Sequence, residues 1–238
     1  QMDYLLPGNL GSFFMAERVT VTASDGHTFD AWRSDPAGDV KGGIIFLQAI
    51  YGLTTHLGDV CDQFARSGYA AMAPALYDRA APDTVFSYDQ DGLQGGMAFR
   101  EHLAEETVLL DVAACADALR PTAGKVAIAG FCTGGTWAWV SASALELDAA
   151  VIFYGTDIPD YLDRHAKCPA IMHYGDLDHI LPIETVRQIE ANYPEVEFQI
   201  YPGAGHAFYN PEQANHNSNA AKTAYGRTIA FLDTQFGA

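Results

Sequence analysis

The chain predicts an α/β fold, a mostly parallel central sheet with helices on both faces, on three observations. Short continuous apolar runs such as Gly42-Gly43-Ile44-Ile45-Phe46-Leu47 recur along it, as strands buried on both faces require. Segments of helical periodicity stand between them, so successive strands are joined by crossovers. Three chemically capable residues, Cys132, Asp178 and His206, each follow such a run, at the C-terminal sheet edge where these folds bind ligands.

The elements follow in order. Val19-Thr20-Val21-Thr22 and Thr28-Phe29-Asp30-Ala31-Trp32-Arg33 flank Ser24-Asp25-Gly26 and read as a hairpin. After the strand at 42–47, apolar Leu57, Val60, Cys61, Phe64 and Ala65 mark a helix to about Ser67, ended by Gly68. Tyr69-Ala70-Ala71-Met72-Ala73 is a buried strand. From Tyr77 to about Ala98 the pattern breaks down, with Pro82, Gly92, Gly95 and Gly96, and an irregular segment at the substrate entrance is expected. A helix from Glu105 to Leu119, a strand from Val126 and a helix to about Ser143 come next. Strands are expected at 149–154, 170–174 and 196–201, with helices at 184–191 and 220–236. With no repeat, linker or low-complexity segment, residues 1–238 read as one domain.

Bulk composition narrows the partners. Thirty acidic against 13 basic residues leave a net charge of −17, which repels nucleic acid and anionic membranes. No apolar stretch is long enough to span a bilayer. Gln1-Met2-Asp3-Tyr4-Leu5-Leu6-Pro7-Gly8 lacks the basic and apolar regions of a signal peptide. The four cysteines show no zinc or redox spacing, and Cys61, Cys115 and Cys168 read as small buried hydrophobes. A reducing, cytoplasmic setting is expected, with a monomer or homodimer.

Gly130-Phe131-Cys132-Thr133-Gly134-Gly135 has the form of a nucleophile elbow with a thiol in place of the commoner hydroxyl. Its glycines suit a strained turn between strand and helix. The helix that follows aims its N-terminal N–H groups at the sulfur and favours the thiolate. His206, in Gly203-Ala204-Gly205-His206, is the expected base. Asp176 and Asp178 both compete to orient it. Asp178 is preferred because it lies further into the loop and Ile180-Leu181-Pro182 packs it in place. Backbone N–H groups of Ile50 and Thr133 are the expected oxyanion donors.

Other readings compete. His173, Asp176, Asp178 and His179 are dense enough to suggest a metal site, but His173 lies in a predicted buried strand and the spacing fits no standard motif, so no metal is expected. Cys132 as a redox sensor lacks a resolving cysteine nearby in sequence. Trp137 and Trp139 read as core residues.

These residues resemble the dienelactone hydrolase (carboxymethylenebutenolidase) family of α/β-hydrolases. The resemblance rests on Gln48-Ala49-Ile50-Tyr51-Gly52, Ala75-Leu76-Tyr77-Asp78-Arg79, the Cys132 elbow, Phe153-Tyr154-Gly155, Asp178-His179 and Gly203-Ala204-Gly205-His206-Ala207-Phe208. It implies the α/β-hydrolase fold, a Cys132–Asp178–His206 triad, no cofactor, and hydrolysis of a conjugated, carboxylate-bearing lactone in the breakdown of chlorinated aromatics. Ala49, Tyr51, Arg79, Tyr154 and Asn210 are the implied substrate contacts. Two positions depart from the family. Ala49 replaces a glutamate that holds the resting thiol, so Cys132 is expected to pair with His206 without substrate. Asn210 replaces the second of two carboxylate-binding arginines, of which Arg79 matches the first. The expected activity is hydrolysis of a small ester or lactone through a thioester acyl-enzyme. The alternatives are a hydrolase of uncharged esters or thioesters and a non-catalytic binding or redox-sensing protein.

Overall fold

Adjacent glycines in the third strand reveal how the sheet is covered. A β-carbon at Gly42 would run into the Phe236 ring of the last helix, while one at Gly43 would meet Leu119 and Ala123 of a central helix. Successive side chains on a strand point to opposite faces, so helices pack on both sides of the sheet. The computed structural model describes residues 15–237. The segment Gln1–Gly8, read for a leader, lies outside them.

The sheet has eight strands in the order β1-β2-β4-β3-β5-β6-β7-β8. β1 (Glu17–Thr22) and β2 (Thr28–Ser34) form the expected hairpin, and β2 pairs antiparallel with β4 (Tyr69–Pro74). From β4 onward through β3 (Gly42–Leu47), β5 (Val126–Phe131), β6 (Ala149–Phe153), β7 (Ala170–Gly175) and β8 (Glu197–Tyr201) all pairing is parallel. Every residue of β3 to β7 is buried, which is why these strands appear as unbroken apolar runs. The edge strands β1 and β8 carry exposed residues.

Helices α1 (Thr55–Ala65) and α6 (Ser218–Phe236) meet through Phe64 and Tyr225, whose rings lie edge to face at 5.2 Å. α3 (Glu105–Ala123) and α4 (Thr133–Ala144) pack together over β3 and β5, and α5 (Ile183–Asn192) precedes β8. No described helix is long and apolar enough to cross a membrane.

One expectation needs correction. The stretch from Tyr77 to Ala98 is not irregular throughout, because Gln90–Phe99 forms helix α2, with the Asp89 carboxylate accepting from Gly92 N–H at its start. The glycines that read as breakers serve close approach instead. Gly92 lies on the backbone of Ser87, Gly95 on the Phe86 ring and Gly96 on the carbonyl of Ile50. Helical periodicity is invisible where the contact positions carry no side chain.

Candidate active site

Where β5 ends, the backbone reverses into α4 through Cys132, which adopts φ 57° and ψ −122°. A non-glycine residue there is strained, by on the order of 1–3 kcal/mol. The turn closes only because its neighbours lack side chains. A β-carbon at Gly130 would strike the carbonyl of Gly134, and one at Gly134 the carbonyls of Leu47 and Gln48. Cys132 N–H donates to Phe153 at 3.0 Å, while its carbonyl accepts from Gly135 at 2.9 Å and opens the helix. The sulfur-bearing residue is thereby held, partly exposed, at the positive end of α4. Tyr154 and Ala207 also have positive φ, and both line the same cavity as Cys132.

His206 arrives on the loop after β8. Its Nδ1 is 2.8 Å from Oδ2 of Asp178, and both residues are buried. The other oxygen of Asp178 accepts from Ile180 and Leu181 N–H at 2.8 and 3.0 Å, so the segment expected to pack this acid also hydrogen-bonds it. Asp176, its competitor in sequence, accepts from Gly203 N–H at 2.7 Å and steadies the histidine's loop instead. Burial raises the Asp178 carboxyl, but the His206 hydrogen bond and charge, with those two N–H groups, hold it below its ordinary value. His206 Nε2 is buried, with Cys132 close enough to act on the imidazole. Burial alone would keep this imidazole neutral. Negative charge at Cys132 and the bond to Asp178 outweigh it and push the imidazolium up to about 10.

Cys132 and His206 open on a cavity of about 580 Å³ whose wall includes Ala49, Ile50, Tyr51, Thr133, Tyr154 and Asn210, with Asp178 buried behind the histidine. The N–H groups of Ile50 and Thr133 donate to no backbone carbonyl among the described residues, which leaves both available to a ligand oxygen. The Ile50 loop is clamped, since its carbonyl accepts from the Tyr77 hydroxyl at 3.0 Å. A separate depression of about 350 Å³ between Ala113 and Asp148 contains no cysteine or histidine.

The sequence matches the family described as Dienelactone hydrolase family over residues 29–236. The chain belongs to the dienelactone hydrolase family. It is 30% identical over 228 residues to carboxymethylenebutenolidases of Pseudomonas putida and Pseudomonas knackmussii, covering 92% of this chain and 96% of each relative. Among solved structures, a Klebsiella pneumoniae protein assigned to the dienelactone hydrolases superposes with a TM-score of 0.81 at 24% identity, over 93% of this chain and 99% of that one. An esterase of Pyrococcus furiosus superposes at 0.68 and 17% identity, over 96% and 98%. These two similarities bear on the fold, which is that of the α/β-hydrolases.

Within this dienelactone hydrolase fold, one expected substrate contact is displaced. Arg79 does not line the cavity. Its guanidinium binds Asp111 through Nε at 2.9 Å and Nη2 at 2.7 Å, and Asp25 through Nη1 at 2.8 Å. Asp111, on α3, is almost fully buried, and a buried carboxylate requires a counterion. The adjacent Asp78 accepts instead from the Asp30 and Asp83 N–H groups. Asn210 lines the cavity, and its side-chain oxygen accepts from Glu212 N–H. Arg100, which sequence reasoning passed over, does line the cavity, paired with Asp157. Its signal was hidden because the helix that delivers it was not foreseen. His56 was missed too. It is buried in the cavity wall, where burial and the nearby His216 lower its pKa to about 4 and keep it neutral.

The remaining residues have structural surroundings. Cys61 and Cys115 are buried and burial pushes their thiols up; Cys168 is partly buried against the core. Trp139 is buried and Trp137 packs against the core, neither lining the cavity. His173 sits inside the sheet between the Tyr201 and Thr228 hydroxyls, at 2.8 and 3.1 Å, apart from the partners of Asp176 and Asp178.

Proposed function

We propose that this dienelactone hydrolase family member cleaves a small ester or lactone by nucleophilic catalysis at Cys132. The observation that carries this reading is His206, bonded to a buried carboxylate through Nδ1 and turned toward the elbow cysteine through Nε2. That arrangement suits a thiolate–imidazolium pair, with Asp178 fixing the tautomer. Ala49 puts no carboxylate beside the sulfur, so His206 is its partner before substrate arrives.

The Cys132 thiolate attacks the acyl carbon, and the carbonyl electron pair moves onto oxygen, facing the Ile50 and Thr133 N–H groups. As that pair returns, the bond to the leaving oxygen breaks and the leaving oxygen takes the proton from His206 Nε2. A lactone would open here with its alcohol still attached to the acyl chain. His206, now neutral, accepts a proton from water, whose oxygen attacks the thioester. Collapse of that second intermediate releases the carboxylic acid and returns Cys132 as thiolate beside imidazolium. No step calls for a metal or cofactor.

The test is hydrolysis of carboxymethylenebutenolide and of 4-nitrophenyl acetate by the wild-type protein and by Cys132→Ala. Turnover of either compound that disappears in the variant supports the reading. Equal turnover by both proteins would refute it.

A further inference from the structure

The charges that face the cavity are few. Among the described residues of its wall, Arg100 is the single guanidinium or ammonium group and Asp157 the single carboxylate. They face each other, with Nη1–Oδ2 at 3.4 Å and Nη2–Oδ1 at 3.5 Å, and both are half-buried. Both partners are positioned by the machinery around the nucleophile. Asp157 N–H donates to the Thr136 hydroxyl of α4 at 2.9 Å, four residues after Cys132, and its carboxylate accepts from Thr156 at 3.0 Å. Arg100 follows Phe99, whose ring packs edge to face on Tyr77 at 4.9 Å. The hydroxyl of Tyr77 holds the Ile50 carbonyl. The pair therefore bridges the nucleophile helix and the loop of the oxyanion donor.

Among the described residues of the wall, no other fixed cation compensates. Arg79 is committed to Asp111 and Asp25, position 210 is an asparagine, and His56 is kept neutral by burial. The thiolate and imidazolium cancel each other. We propose that Asp157 makes this enzyme selective for uncharged esters and lactones. It neutralises the one cavity cation able to receive a substrate carboxylate and sets its own carboxylate against any acid that enters. This inference rests on the hydrolase reading and assigns its substrate class. It separates this chain from an enzyme whose substrate carries a free acid. An entering carboxylate would have to share the Arg100 guanidinium with Asp157 and sit against that like charge. A neutral acyl group meets no such opposition.

The test uses a matched pair, mono-(4-nitrophenyl) glutarate and its methyl ester, which release the same chromophore and differ by one charge. Wild-type protein is expected to favour the methyl ester by about tenfold or more in kcat/KM. Asp157→Asn keeps side-chain atoms able to accept from Thr156 and leaves the backbone bond to Thr136. It should raise the acid-to-ester ratio of kcat/KM by about tenfold. Adding Arg100→Gln to Asp157→Asn should abolish that gain. A wild-type preference for the acid, or an acid-to-ester ratio unchanged by Asp157→Asn, would overturn the inference. A parallel calorimetric titration of Cys132→Ala/His206→Gln, which removes both charges of the thiolate–imidazolium pair, with and without Asp157→Asn, reads the same discrimination without turnover. If neither ester is hydrolysed but binding still favours the neutral compound until Asp157 is changed, the hydrolase reading fails and the charge selection stands. Equal binding of acid and ester by Cys132→Ala/His206→Gln would overturn it.

Discussion

Replacing Asp178 by asparagine changes one oxygen into an amide nitrogen at the most connected point of the site. One oxygen of Asp178 already accepts from Ile180 and Leu181, and the other accepts from His206 Nδ1. Asparagine can keep its oxygen on the two N–H groups only by turning its NH₂ toward Nδ1. That nitrogen must then accept rather than donate, so the imidazolium loses its partner. A buried, charge-assisted hydrogen bond of this kind is worth about 1.5–3 kcal/mol. The expected loss is therefore about 10–150-fold in kcat/KM, with the fold intact. His206 is held up to about 10 partly by this bond, so its pKa should also fall. Alkylation of Cys132 by iodoacetamide reads that shift directly. At pH 7 the rate should be lower in Asp178→Asn than in the wild-type protein, because a less basic His206 takes the thiol proton less readily. Activity within twofold of wild type, together with an unchanged alkylation rate, would refute the role given to Asp178.

Three further outcomes follow from particular contacts. Arg79→Gln leaves buried Asp111 without its counterion, which costs about 3–5 kcal/mol and should lower Tm by roughly 10 °C. KM for neutral esters should not move, and a raised KM at unchanged Tm would return Arg79 to the substrate site. Gly96→Ala drives a β-carbon against the Ile50 carbonyl, so kcat should fall about tenfold or more as the oxyanion donor shifts, and unchanged kcat would detach Ile50 from that role. His56 has a folded pKa lowered to about 4, so below about pH 6.5 the unfolded chain takes the proton first. Its contribution is present at neutral pH and lost as pH falls from about 6.5 to 4, by up to about 1.4 kcal/mol per pH unit. Urea unfolding of His56→Leu should be less sensitive to acid over that range, and parallel pH slopes would contradict the assignment.

The sheet was legible because β3 to β7 are buried on both faces, which writes each as a short run of apolar residues between turn signals. The juxtaposition of Cys132, Asp178 and His206 was legible because an elbow needs glycines where Gly130 and Gly134 stand, and because chain order fixed which loops follow the strands. The cavity wall was not. α2 makes its contacts through glycines, which leave no apolar stripe, and the residue it delivers, Arg100, carries no local motif. Arg79 illustrates the opposite limit. Its surroundings in sequence match the family, yet its partners come from Asp25 and Asp111, 54 and 32 positions away. Sequence spacing cannot tell whether an arginine meets a substrate or a buried carboxylate from another helix.

The most direct test of the account is intact-protein mass spectrometry on samples quenched during turnover of 4-nitrophenyl acetate. An acetyl group, about 42 Da, should appear on wild-type protein, map to the peptide containing Cys132, and be absent from Cys132→Ala. It should accumulate in His206→Gln incubated with the same ester, because the water that clears the thioester would lack its base. Turnover with the label on another residue, or with no covalent species even when His206 is replaced, would contradict nucleophilic catalysis by the elbow cysteine.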